Sequence, residues 1–250
     1  MFSPAPYPST PSFRTPYKSA HKRAQIVRIL LIVGAALDVV MLFFFLLHFL
    51  APGTVITDDT TEPITIIIAL MESGVALMAV AVYFATIVVF LMWMYRSFEN
   101  LPALGVPRAS IGFSSGWAVG SFFVPIVLLF APYQATKELW KKSRPMALGS
   151  SGPPAFFPSW WAFWLMSLIA GNLYFRLSFS ERLSPEADAM LGSVSTVLSI
   201  IAAVFAIMVV KEIDKQQTES ARLIGQGTVS SEPPLPDMFM KPGVESPTGA

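Results

Sequence analysis

Five apolar stretches constrain this chain more than any other feature of its sequence. About 20 mostly apolar residues in an α-helix are enough to cross the hydrocarbon core of a bilayer. Four of the stretches have about that length or more, and they occupy residues 26–50, 64–95, 160–176 and 190–210. The sequence therefore predicts an all-α, polytopic membrane protein with four transmembrane helices.

The remaining stretch, residues 117–131, is shorter and is interrupted by a proline. Pro125 lies in its middle and Pro132 follows its end, and proline removes a backbone donor and disrupts a helix. We predict that this segment enters the membrane and returns, and that residues 133–144 form a basic helix lying in the interface. A full fifth crossing is the alternative.

The distribution of basic residues separates these two topologies, because Lys and Arg near the ends of spans prefer the cytoplasmic side. With four crossings, fifteen of the seventeen Lys and Arg residues are cytoplasmic, whereas five crossings leave nine against eight. The sequence thus favours four spans with both termini in the cytoplasm.

Composition limits the classes of function. The chain is 54% hydrophobic and 13% charged, has a formal net charge of +1, and contains no cysteine and only two histidines. Overall charge this low does not predict nucleic-acid binding, and thiolate chemistry is excluded. We predict no metal site and no cofactor. Proline-bearing residues 1–24 and polar residues 213–250 are expected to be disordered cytoplasmic tails around a helical domain at 25–212.

A series of short motifs resembles a known family. They are Trp93-Met94-Tyr95-Arg96, Asn100, Leu104-Gly105, Gly116-Trp117-Ala118-Val119-Gly120, Phe123-Val124-Pro125, Pro132-Tyr133, Glu138-Leu139-Trp140, Ser143, Pro145, Trp160-Trp161 and Gly171-Asn172. Together they resemble DUF4328, a bacterial family of uncharacterised membrane proteins, over roughly residues 33–211. The resemblance implies a protein of the bacterial plasma membrane and implies no established activity.

Two acidic residues lie inside predicted spans. Asp38 and Glu72 both fall near the middle of the bilayer if each helix rises about 1.5 Å per residue. Ionisable groups in hydrocarbon are costly and often functional, so one hypothesis is a proton- or cation-coupled conduit that uses this pair. The alternative is that each is neutral or hydrogen-bonded to a neighbouring helix and stabilises packing.

A second polar set lies nearer the opposite surface. His48, Asn172 and Arg176 are candidates for an outer polar cluster. The simpler interpretation is a solvated interfacial histidine and an arginine whose side chain extends to the surface.

Basic and aromatic residues concentrate on the predicted cytoplasmic side. The candidate contacts to anionic lipid or to a protein partner are Arg96, Arg108, Lys137, Trp140, Lys141, Lys142 and Arg144. These charges suit anionic headgroups, although they could equally serve only to set topology. Because no enzyme motif is present, the leading hypothesis is a non-catalytic membrane module that contacts lipid, a protein partner or a second copy of itself.

Overall fold

The computed structural model describes residues 16–51, 62–144, 152–178 and 183–230, with side chains as far as residue 225. Within these residues all regular structure is helical. The α-helices are α1 (His21–Leu50), α2 (Pro63–Glu99), α3 (Ser115–Gly120), α4 (Ala131–Ser143), α5 (Phe156–Ser178) and α6 (Pro185–Ser230).

Three of these helices are long and apolar enough to cross a membrane: α1, α2 and the Pro185–Gly225 part of α6. The three agree with three of the four predicted spans. Helix α5 has 23 residues but carries Asn172 and Arg176 near its end, and it does not reach the hydropathy of the others. The all-helical architecture is confirmed, whereas the crossing of α5 stays a prediction.

Helix α1 packs against both α2 and α6, and α5 packs against the other side of α6. Gly34 of α1 faces Val82 of α2, and a Cβ at Gly34 would be 3.8 Å from Val82 Cγ1. Phe163 of α5 stacks on Phe205 of α6, with ring centroids 5.8 Å apart. Successive long helices run in opposite directions, so α1, α2 and α6 contribute to both ends of the bundle.

The buried core lies mainly at one end, where α1 begins and α2 ends, which we call the inner end; the opposite end is the outer end. Trp93 and Phe157 are fully buried there, and Phe90 packs against Trp160. Many apolar side chains along the rest of the long helices are exposed. This distribution suits helices that lipid surrounds, because lipid tails are as apolar as the side chains they replace.

The predicted disorder of residues 16–24 and 213–230 is wrong, whereas that of residues 1–15 and 231–250 stays a prediction. Helix α6 continues to Ser230, and Ile213, Asp214 and Gln217 are buried. At the other terminus, Ala20 and Ala24 are buried and α1 begins at His21. Polar composition suggested disorder, but these residues find partners across the inner end. Residues 1–15, 52–61, 145–151, 179–182 and 231–250 lie outside the described residues.

The proline-broken segment forms no long helix. The six-residue helix α3 is followed by two 3-10 turns, Ser121–Phe123 and Val127–Leu129. Pro125 lies between the turns, where its missing N–H prevents a continuous helix. The predicted basic helix follows directly as α4.

Candidate functional site

Helix α4 has one buried face and one exposed face. Its buried residues recur every three or four positions and are Pro132, Ala135, Thr136, Leu139, Trp140 and Ser143. On the opposite face, Gln134, Lys137 and Lys141 are exposed. The apolar face is therefore covered by the protein itself, and Lys137 and Lys141 extend outward from the inner end.

The prediction that Trp140 contacts lipid or a partner is wrong, because its side chain is only 3% exposed. Its ring lies edge-on to Phe157, with centroids 5.7 Å apart. The guanidinium carbon of Arg144 lies 5.0 Å from the centre of the Trp140 ring. A cation over an aromatic face is a stabilising contact, so Arg144 helps to hold this tryptophan in the core.

The charged group of Lys142 also makes contacts within the protein. Its Nζ lies 2.7 Å from Glu138 Oε1 and donates to the carbonyl of Ser110. The same Glu138 oxygen accepts from the backbone N–H of Gly112 at 2.6 Å. A Cβ at Gly112 would lie 3.1 Å from Glu138 Oε2, so a residue without a side chain suits this close approach. These contacts tie α4 to the loop that precedes α3.

The remaining candidates differ in their surroundings. Arg96 Nε donates to the carbonyl of Lys18 at 3.2 Å, which joins the end of α2 to the segment before α1. Arg108 is exposed and lines a cleft of about 240 Å³ beside Glu99. Of the predicted contact residues, Arg108, Lys137 and Lys141 thus have their charges exposed at the surface.

A polar network that the sequence did not reveal holds the far end of α6. Gln217 Nε2 donates to the carbonyl of Ser97 at 2.9 Å and to Ser143 Oγ at 3.0 Å. Ser220 Oγ donates to the carbonyl of Ser143 at 2.7 Å. Gln217 and Ser220 lie three positions apart, on one helical face, and this spacing is a sequence signal that could have indicated an ordered helix.

The start of α1 and the segment before it also contact the far end of α6. His21 Nδ1 lies 2.8 Å from Asp214 Oδ2, and Arg28 Nη2 lies 3.9 Å from the same oxygen. Burial raises the pKa of the Tyr17 phenol above its ordinary value, and the nearby negative charge of Asp214 adds to this rise. The inner end is therefore an ordered assembly of the N-terminal segment, α2, α4 and α6.

The DUF4328 family model, described as a domain of unknown function, matches residues 66–215. This chain belongs to the DUF4328 family. The match runs from the start of α2 into α6 and includes the whole of α3, α4 and α5, so the resemblance seen in the motifs is confirmed. No curated protein and no solved structure matches the chain.

In this DUF4328 protein, Asp38 and Glu72 are not brought together. Asp38 Oδ2 accepts from Ser199 Oγ at 2.8 Å, between α1 and α6. Glu72 Oε2 lies 3.6 Å from His48 Nε2, nearer the outer end. His48 follows Asp38 by ten residues, or about 15 Å along the axis of α1. Each carboxyl group thus joins a different pair of helices.

The predicted outer cluster is also divided. Arg176 Nε donates to Asn172 Oδ1 at 2.9 Å on the exposed side of α5, whereas His48 pairs with Glu72. The sequence missed Asp188, which accepts a hydrogen bond from Ser178 Oγ and thereby joins α6 to α5. Among the described residues, no group of three or more His, Asp or Glu side chains is placed to hold a metal ion.

Proposed function

We propose that this DUF4328 protein is a non-catalytic, multi-pass module of the bacterial plasma membrane that contacts anionic lipid at its cytoplasmic face. The observation that carries the proposal is the orientation of α4. Its apolar face is buried in the protein, while Lys137 and Lys141 are exposed on the other face. A helix bound in this way needs no further apolar partner, so its lysines are free to reach headgroups.

Charged residues mark a common inner boundary on two helices. Arg28 is the last Lys or Arg of α1, and it lies near Asp214, one turn past Lys211 on α6. From Arg28 to Leu50 is about 33 Å of helix, which suits a hydrocarbon core of about 30 Å. This match supports a full crossing by α1, and the excess of basic residues at the inner end supports placing that end in the cytoplasm.

The geometry of α5 supports a fourth crossing. Its 23 residues span about 35 Å. Phe157 lies in the inner-end core, and Ser178 contacts Asp188 near the outer end. Between them, Met166, Ile169 and Leu173 are exposed apolar residues. The termini would then both lie in the cytoplasm.

The segment before α4 supports the same count. Ser115 Oγ donates to Glu99 Oε1 at 2.5 Å, and Tyr133 stacks on Trp161 with centroids 6.4 Å apart. Glu99 and Trp161 both belong to the inner end. A segment that leaves and returns at one end adds no crossing, so these contacts support four spans over five.

Single cysteines test this topology in a chain that has none of its own. We expect Gln134→Cys, on the exposed face of α4, to react with an impermeant thiol reagent only after cells are opened. Glu186→Cys, at the exposed start of α6, should react in intact cells. Labelling of Gln134→Cys in intact cells would contradict a cytoplasmic inner end.

Replacement of Lys137 and Lys141 by glutamine tests the lipid contact itself. Each charge near an anionic surface contributes about 1 kcal/mol, so the double variant should lose roughly 2 kcal/mol of preference for anionic lipid. We would measure the competition between spin-labelled phosphatidylglycerol and phosphatidylcholine for the reconstituted protein, at low and high salt. The wild-type preference should weaken as salt rises.

The matched control removes the same charge elsewhere. The part of α6 that follows Val210, which we call the extension of α6, lies further from the membrane and has Lys215 and Arg222 exposed. Lys215→Gln with Arg222→Gln should retain most of the preference. Equal loss in both double variants would mean that only net charge matters. An unchanged preference in the α4 variant, with loss of a co-purifying protein, would point to a protein partner and overturn the lipid assignment.

A further inference from the structure

Residues 121–130, between α3 and α4, form a short loop that we call the wedge. Its backbone is held by local hydrogen bonds, including Leu128 N to Val124 O at 2.7 Å and Phe130 N to Val127 O at 3.0 Å. Both ends of the wedge are fixed to the inner end, through the contacts of Ser115 and Tyr133 described above. The loop is therefore ordered without crossing the bundle.

One aromatic ring of the wedge points into the protein. Phe122 lies edge-on to Phe90 of α2, with centroids 5.9 Å apart, and to Trp164 of α5, at 6.3 Å. Neighbouring Ser121 is buried and donates its hydroxyl to the carbonyl of Ala118. The wedge thus fills the space between α2 and α5, two helices that otherwise meet little.

Three other large side chains of the wedge are more than half exposed. Phe123 is 69% exposed, Ile126 is 75% exposed and Phe130 is 56% exposed. Exposed apolar side chains are common singly, but a contiguous group marks a contact with a partner or a membrane. The described residues of the protein cover less than half of each of these three residues.

The contacts of Phe122 give the depth of the wedge. Val82 faces Gly34 of α1. Phe90 lies about 12 Å nearer the inner end than Val82, and Arg28 lies about 9 Å nearer that end than Gly34, so the two residues are at nearly the same level. Phe122 is therefore nearly level with Arg28, the last Lys or Arg of α1. This is the level at which the helical surface changes from charged to apolar, where the acyl chains of one leaflet begin.

Positive charges on the neighbouring helix α4 indicate that the exposed apolar side chains of the wedge contact lipid. Lys137 and Lys141 follow the wedge by two to three turns of α4, on its exposed face. An apolar tip beside exposed cations is typical of segments that insert into an anionic membrane surface. A soluble partner would not account for apolar residues at the level of the acyl chains.

We propose that the wedge inserts Phe123, Ile126 and Phe130 into the acyl chains of the cytoplasmic leaflet. The inserted residues contact lipid tails, while the lysines of α4 contact headgroups. The inference deepens the proposed lipid contact and rests on its placement of the inner end in the cytoplasm. It adds a second, apolar contribution that does not depend on lipid charge.

Site-directed spin labelling of the full-length chain tests this insertion. Nitroxides would be placed singly at Phe123→Cys, Ile126→Cys and Phe130→Cys in liposomes of phosphatidylcholine with phosphatidylglycerol. Ile169→Cys, exposed on α5, is the reference for hydrocarbon, and Lys215→Cys is the reference for water. We expect the ratio of oxygen to nickel-chelate accessibility at the wedge to be several-fold higher than at residue 215, and lower than at residue 169.

Two results would overturn the insertion. Nickel-chelate accessibility like that at residue 215 would place the wedge in water, and shielding from both reagents would mean that protein, including a second copy, covers it. Liposomes of phosphatidylcholine alone separate this inference from the lysine contact, because the wedge should stay inserted there. If the wedge labels are aqueous while Lys137→Gln with Lys141→Gln still lowers anionic-lipid preference, the wedge inference fails and the proposed function stands.

Discussion

Replacing Gly192 by valine is expected to destabilise the bundle more than any change on its lipid-facing surface. A Cβ at this buried position would lie 2.6 Å from two ring atoms of Phe45. Real Cβ atoms do not approach so closely, so α1 and α6 must separate or the ring must move. The Phe45 ring is itself held edge-on to Tyr174, with centroids 5.7 Å apart. Overpacking of this kind costs about 1–3 kcal/mol.

The measurement is thermal unfolding of the purified protein in detergent, followed by tryptophan fluorescence. Gly74→Val is the matched control, because a Cβ at Gly74 has no atom within 4 Å. Gly192→Ala places a methyl group against the same ring and should also lower the melting temperature. Adding Phe45→Leu should recover part of that loss, because the smaller side chain makes room for the methyl group. Equal melting temperatures for the two valine variants would contradict the close α1–α6 approach.

The second large effect is expected for Gln217→Glu, at a side chain that is 2% exposed. The change keeps the shape but replaces the donor that bonds the Ser97 carbonyl and Ser143 Oγ. A carboxylate would repel the carbonyl, and a neutral carboxyl group would have only one donor for two acceptors. Leaving a buried polar group unsatisfied costs about 1–3 kcal/mol, and more when it is charged.

We would follow trypsin cleavage at Lys215 and Arg222, two exposed sites on the extension of α6, together with thermal unfolding. Faster cleavage than in wild type should accompany the lower stability, because the extension separates from α2 and α4. Gln134→Glu makes the same chemical change at an exposed position of α4 and should leave both measurements unchanged. If Gln217→Glu behaves like Gln134→Glu, the extension is not held by this network.

Local sequence patterns predicted the elements of the fold well. Apolar runs predicted α1, α2 and α6, since the length and hydropathy of a helix depend only on neighbouring residues. Pro125 and Pro132 predicted the break before α4 for the same local reason, because proline lacks the N–H that a helix needs. The motif likeness to DUF4328 was likewise contained in short segments.

The uses of individual charges were predicted less well. The sequence predicted seven basic or aromatic residues at the inner end that contact lipid or a partner. In the structure four of them make contacts within the protein, namely Arg96, Trp140, Lys142 and Arg144. The sequence also suggested that Asp38 and Glu72 meet. Helix register instead places Ser199 beside Asp38 and His48 beside Glu72.

By itself, the sequence determined that the chain forms long apolar helices with a proline-broken segment and a basic inner end. Tertiary structure alone decided which charges are exposed and that α6 extends as an ordered helix. Asp214 illustrates the reason, since its partner His21 lies 193 positions away. Helix periodicity and hydropathy are local properties, whereas the partner of a buried polar group depends on which distant helices pack together and in what register.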